Sequence, residues 1–169
     1  MIPIQIIGYK KSGKTTLVSQ LVQTLSKQEY KVATLKHHGH GGPPSTVEDT
    51  DSYKFSQAGA VVSGVEGDGM LQLSIQQQSW SVEQILAFYQ LIKIDILLIE
   101  GYKQLDFNKI VILRSEEDVP LVKRTSNIKA VVTRVDLSKD ICPYPMVQGH
   151  DMLDWVTNNL FLFKEGYHM

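Results

Sequence analysis

The chain has 169 residues, 43% apolar and 21% charged, an ordinary composition that excludes collagen-like, disordered and coiled-coil classes and points to one folded domain. Lysine and arginine total 17 against 18 acidic residues, a net charge of −1, so no whole-molecule field draws the protein to nucleic acid or an anionic membrane, and any anion site must be local. The single cysteine, Cys142, has no partner for an internal disulfide, the start Met1-Ile2-Pro3-Ile4 carries no charged leader, and no apolar run approaches the roughly 20 residues of a spanning helix, so a cytoplasmic location is expected.

Ile2, Ile4, Ile6 and Ile7, β-branched and ending at Gly8, predict a buried strand that opens the domain. From Thr15 the period changes: Leu17, Val18, Leu21, Val22 and Leu25 share one face of an amphipathic helix. Lys31 to Leu35 predicts a second strand, and the glycines and prolines from His37 to Ser45 predict a loop. Weak helical spacing from Val47 to Ala58 predicts a short helix. Val61 to Val65, the turn residues Glu66-Gly67-Asp68-Gly69, and Leu71, Leu73 and Ile75 alternating with polar residues predict an antiparallel hairpin, inserted at about 60–77. Ser81 with Gln84 forms a capping box ahead of a helix carrying Val82, Ile85, Leu86, Phe88 and Tyr89.

Strands follow at Ile94 to Ile99, Ile110 to Leu113 and Ala130 to Val132, and a last helix after Asp151 aligns Met152, Trp155, Val156 and Leu160. Continuous apolar strands separated by helices predict a mainly parallel sheet covered on both faces, with the hairpin as an antiparallel addition. The class is α/β, a three-layer fold of the P-loop NTPase type, with residues 1–169 forming one nucleotide-binding domain.

That assignment rests on Gly8-Tyr9-Lys10-Lys11-Ser12-Gly13-Lys14-Thr15, which satisfies G-x-x-x-x-G-K-[ST], the Walker A pattern, between a predicted strand and a predicted helix. Glycines let the backbone curl so that its N–H groups, with the helix N-terminus, face a phosphate. Lys14 is expected to reach the β- and γ-phosphates, and the Thr15 hydroxyl to ligate Mg²⁺; Thr16 completes the loop. Lys10 and Lys11 either add local charge or stand as solvated loop lysines.

Such a loop also needs a carboxylate at the end of a neighbouring strand, and Glu100, after Ile96-Leu97-Leu98-Ile99, is the candidate catalytic and Mg²⁺-ordering partner. Asp51 is a weaker candidate, because Glu48, Asp49 and Asp51 together fit a solvated helix start. Thr133-Arg134-Val135-Asp136 resembles the guanine-reading [NT]-K-x-D pattern with Arg at the Lys position; Asp136 could accept both guanine N1–H and N2–H, or serve as a turn or capping residue. Lys36-His37-His38-Gly39-His40 reads as an anion-binding or neutral surface loop rather than a metal site, and Cys142 between Ile141 and Pro143 reads as packing.

With these residues in place, the sequence resembles the MobB family, molybdopterin-guanine dinucleotide biosynthesis protein B. The resemblance is carried by Gly8 through Leu17, by Lys36-His37-His38, by Asp51-Ser52-Tyr53 followed by Ala58-Gly59-Ala60, and by Ile99-Glu100-Gly101-Tyr102-Lys103. It implies a P-loop GTP-binding homodimer that assists the guanylyltransferase joining GMP to the molybdopterin cofactor, with GTP and Mg²⁺ as ligands. Position 9 is Tyr where dimer-activated ATPases of the neighbouring branch carry a signature Lys, so a lysine acting in trans is not expected. A small-molecule kinase and a nucleotide-sensing adaptor without meaningful turnover are the alternative readings; Arg114, Arg124 and Arg134 are too scattered for an arginine-rich kinase lid. Gly8, Lys36, Glu100 and Asp136 all follow predicted strands, which predicts one rim and a possible second anion site formed by Lys36, His37, His38 and Lys103.

Overall fold

The computed structural model describes residues 1–38 and 50–164. Its strands are β1 (Ile2–Gly8), β2 (Val32–Lys36), β3 (Val62–Gly67), β4 (Met70–Ile75), β5 (Ile96–Glu100), β6 (Lys109–Ile112), β7 (Ile128–Val132) and β8 (Met146–Val147). Its α-helices are α1 (Lys14–Lys27), α2 (Asp51–Gln57), α3 (Val82–Leu91), α4 (Val119–Lys123), α5 (Met152–Asn158) and α6 (Phe161–Lys164). The chain divides into two compact units, residues 1–39 with 89–169 and residues 40–88.

In the first unit the strands form one parallel sheet in the order β2-β5-β1-β6-β7-β8. Both faces of its central strands are buried, which explains their near-continuous aliphatic sequences. Side chains alternate between two cores. Ile4, Ile6, Leu98 and Ile110 pack with Leu21 and Leu25 of α1 and with Val156 and Phe163 of the C-terminal helices. Ile7, Val111 and Val131 pack with Leu121 and Val122 of α4 and with Cys142, which is a packing residue as its neighbours suggested. Each such side chain contributes roughly 1.5–3 kcal/mol on burial. The three-layer α/β reading of the sequence is therefore correct for this unit.

The edges of elements shift by a residue or two from the sequence pattern. The strand expected from Ile94 begins at Ile96, because Asp95 leaves the strand to accept a 2.8 Å hydrogen bond from the Lys31 amide. The last helix stops at Asn158, and Leu160 is buried in the connection to α6. Parallel strand order places the carboxyl ends of β1, β2, β5, β6 and β7 along one rim, where ligands of open α/β sheets gather.

The second unit contains α2, the β3–β4 hairpin and all but the last turn of α3. Asp68 and Gly69 both adopt positive φ, 52° and 80°, and join Gly67 to Met70 through a two-residue turn of the kind whose twist matches a hairpin. The anticipated capping box forms: the Gln84 amide donates to Ser81 Oγ at 3.2 Å, and the Ser81 amide donates to Gln84 Oε1 at 3.0 Å. Thr50 caps α2 by accepting from the Tyr53 amide at 3.2 Å, and of the helix expected from Val47 to Ala58 the structure shows Asp51–Gln57, residues 47–49 lying outside the described residues. Among the described residues no helix is long and apolar enough to cross a membrane.

Candidate nucleotide site

The phosphate loop is built by the end of β1 and the start of α1. Lys11 and Gly13 adopt φ of 60° and 91°, which curls residues 8–14 back on themselves; Gly13 then caps α1 and its carbonyl accepts from the Leu17 amide at 3.0 Å. At Gly8 the loop closes tightly, since a Cβ there would lie 2.5 Å from Ser12 Oγ and 3.1 Å from the Ile112 carbonyl. The Lys14 ammonium folds over the loop and donates to the Gly8 and Tyr9 carbonyls at 3.1 and 2.8 Å. Burial pushes the Lys14 pKa down; Glu100 opposes the shift, while Lys103, Lys36 and Arg114 add to it. An anion placed here would relieve that mutual repulsion.

Glu100 ends β5 with its carboxylate buried, 7% exposed. Thr15 Oγ1, one residue into α1, donates to this carboxylate, 3.0 Å from Oε1 and 3.1 Å from Oε2. Lys36 ends β2 directly opposite Glu100 in the parallel register. Its Nζ lies 3.1 Å from Glu100 Oε1 and 3.1 Å from Thr15 Oγ1. A cation is thus already held by the hydroxyl and carboxylate oxygens that hard divalent metals select, so these residues fit Mg²⁺. Among the described residues no group of three or more His, Cys, Asp or Glu side chains could hold a metal.

Around the loop mouth the structure adds Arg114 and Gln5, which local sequence did not flag, to Lys103 and Tyr9, which it did. Lys103 Nζ sits 4.4 Å over the Tyr9 ring, and the Arg114 guanidinium lies 6.0 Å from the same ring. Arg114 is fixed by Asp118, donating from Nε and Nη2 at 2.9 Å each, and it also donates to the Lys10 carbonyl at 3.2 Å. The guanidinium holds the buried Asp118 carboxyl below its usual range. Gln5, a polar residue in the middle of β1, donates from Nε2 to the Gly101 and Tyr102 carbonyls at 2.8 and 2.6 Å. These bonds support the positive φ of Gly101 and Tyr102 just after Glu100. The one sequence signal was an amide in an otherwise aliphatic strand.

A cavity of about 810 Å³ opens beside the loop. Lys11, Ser12, Gly13 and Thr16 border it on the loop side, and Thr133, Arg134, Gln148, Gly149 and His150 line the far side. Thr133 is buried and its hydroxyl is taken up locally, accepting from the Val135 amide at 2.9 Å. Asp136 is exposed and does not line the cavity.

The residues considered for a second anion site are distributed along the rim. Lys36 is engaged by Glu100 and Thr15, the His37 and Tyr102 rings stack with centroids 4.4 Å apart, His38 is exposed, and Lys103 covers Tyr9. Asp51 lies in the second unit, where it pairs with Lys54 at 3.0 Å. His40 and Gly39 to Gly42, with Glu48 and Asp49, lie outside the described residues.

Comparison with known proteins gives a consistent picture. The family model described as "Molybdopterin guanine dinucleotide synthesis protein B" matches residues 3–134. A Bacillus subtilis protein named "Probable molybdopterin-guanine dinucleotide biosynthesis adapter protein" is 41% identical over 134 residues, 78% of this chain and 75% of that protein. The crystal structure of Bacillus subtilis MobB superposes with a TM-score of 0.81 at 34% identity, covering 94% of this chain and 97% of the other. The hydrogenase maturation factor HypB of Archaeoglobus fulgidus shares the fold alone, with a TM-score of 0.51 at 16% identity over 95% of this chain and 90% of its own.

Proposed function

The chain belongs to the MobB family of molybdopterin guanine dinucleotide synthesis proteins, and on that premise we propose that it is a GTP·Mg²⁺-binding adapter with slow GTP hydrolysis at most. It would serve the guanylyltransferase that attaches GMP to molybdopterin, as a cytoplasmic homodimer. The observation that carries the reading is the placement of Lys14, Thr15, Glu100 and Lys36 around one loop at the N-terminus of α1.

Each residue has a definite task in that reading. Amide groups of the loop from Tyr9 to Thr16 bind phosphate oxygens, and the helix N-terminus favours their negative charge. Lys14 exchanges its two carbonyl acceptors for phosphate oxygens, a stronger, charge-assisted pairing. Thr15 and Glu100 would hold Mg²⁺, directly or through water, with Lys36 giving way from the same oxygens. A metal held by them would supply charge neutralisation for the bound phosphates. Lys103 and Arg114 stand at the loop mouth and add positive potential; with His37 and His38, Lys103 is also our candidate for holding the phosphate of a pterin ligand.

Glu100 accepts from Thr15 and pairs with Lys36, an engagement suited to holding a cation; with Arg114, Arg124 and Arg134 scattered in sequence, an adapter role with slow turnover is favoured over a kinase. The deciding experiment is GTP·Mg²⁺ binding by calorimetry with wild type and Lys14→Ala. Wild type should bind, and the variant should lose at least about a hundredfold in affinity, the scale of a buried charge-assisted contact. Unchanged binding by a folded Lys14→Ala protein would overturn the assignment.

A further inference from the structure

We propose that the turn after β8, Gln148-Gly149, is the nucleobase-reading wall of the site, a role that rests on the nucleotide reading above and that no local motif indicates. The cavity of about 810 Å³ falls within the usual size of small-molecule sites, roughly 300–1,000 Å³, and is continuous with the phosphate loop through Ser12, Gly13 and Thr16. Neighbouring threonines divide the two ends of a ligand. Thr15 turns to Glu100 and the cation position, while Thr16, about 100° further around the helix, borders the cavity. A nucleoside triphosphate with its terminal phosphates near Thr15 and Glu100 therefore carries its base into the cavity.

The chemistry of the far wall selects the reader. Thr133 has its hydroxyl engaged by the Val135 amide, and Asp136 is exposed and is not among the lining residues. Gln148 offers an amide that both donates and accepts, as a purine edge requires. Gly149 has no conformational or packing need to be glycine. Its φ is not in the left-handed region, and a Cβ built there meets no atom within 4 Å. The absent side chain leaves open space beside the wall, enough for a planar ring to approach the backbone amides of Gly149 and His150. Weak pairing of exposed His150 to Asp151 at 3.2 Å leaves that part of the wall free to adjust.

The test separates base from phosphate by using inorganic tripolyphosphate as a probe beside GTP and ATP, each with Mg²⁺. Wild type should bind GTP more tightly than tripolyphosphate. Gly149→Val, which the open space tolerates, and Gln148→Ala should each lose about tenfold in GTP affinity, the scale of one specific contact in a binding pocket. Both should bind tripolyphosphate within about twofold of wild type, because they follow β8 rather than β1 and lie outside the phosphate loop of residues 8–16. Equal losses for GTP and tripolyphosphate, no loss for either, or a loss of GTP selectivity confined to Asp136→Asn would overturn the proposal. Wild-type binding of tripolyphosphate as tight as that of GTP would overturn it while leaving the phosphate site intact; binding of neither ligand would overturn the nucleotide reading itself.

Discussion

Glu100 is a buried carboxylate whose charge is balanced in two ways, by the Thr15 hydroxyl and by the Lys36 ammonium. A divalent cation bound at these oxygens would compete with Lys36, which makes the side chain testable without any nucleotide. In Lys36→Met the melting temperature should fall by a few degrees, as expected for losing an interaction of about 1 kcal/mol, and 10 mM Mg²⁺, about a typical assay excess, should restore it in the variant alone. Equal Mg²⁺ response in both proteins would show that the ammonium does not occupy the metal position. Lys14 makes a pH prediction. Its pKa is lowered by burial in the free protein, and a bound triphosphate raises it, so binding takes up a proton between the two values. GTP affinity should be greatest below the free-protein pKa of Lys14 and fall as pH rises through it. Calorimetry in buffers of different ionisation heat at alkaline pH should register the uptake, and Lys14→Ala should abolish it.

At the scale of elements, local sequence rules hold where the structure uses local interactions. The Ser81–Gln84 box and the Asp68-Gly69 turn are complete within a few residues, so each was readable. Ser81→Ala should cost about 1 kcal/mol of stability, and Gly69→Val about 1–2 kcal/mol because Gly69 sits at φ 80°, both read by denaturant unfolding. The strands buried on both faces were equally legible, since two-sided burial writes an aliphatic run. What escaped was short or assembled from distant segments. β8 contributes only Met146 and Val147, and α4 is a five-residue helix with Pro120 in its first turn, so neither displays a period. The phosphate loop and Glu100 were visible as strand-end signals. The Lys36–Glu100 pairing was not, because it depends on β2 and β5 being sheet neighbours although α2, β3, β4 and α3 intervene in sequence. Gln5 and the contact of Arg114 with the Lys10 carbonyl were hidden for the same reason: each joins segments about a hundred residues apart.

For the whole molecule, the near-neutral charge conceals a strong local asymmetry, with Lys14, Lys36, Lys103 and Arg114 all acting on one loop. Association with a polyanion should therefore slow with added salt, although the net charge of −1 would predict no such attraction. The hairpin bears the prediction about assembly. Val62, Val65, Met70, Leu71 and Leu73 are all exposed along it, an apolar two-stranded edge that a second copy can cover. Light scattering at micromolar concentration should give twice the chain mass, and Leu71→Glu with Leu73→Glu should give the monomer mass; a monomeric wild type would refute the hairpin as a dimer contact.

The register that sets Lys36 beside Glu100 also determines how the protein rests between ligands. A site that relied on metal alone to neutralise its carboxylate would become strained each time product left, and departure would be slowed by that strain. Here Lys36, on the adjoining strand, already neutralises the carboxylate. Release and reloading of a cation would thereby become an exchange between two neutralised states.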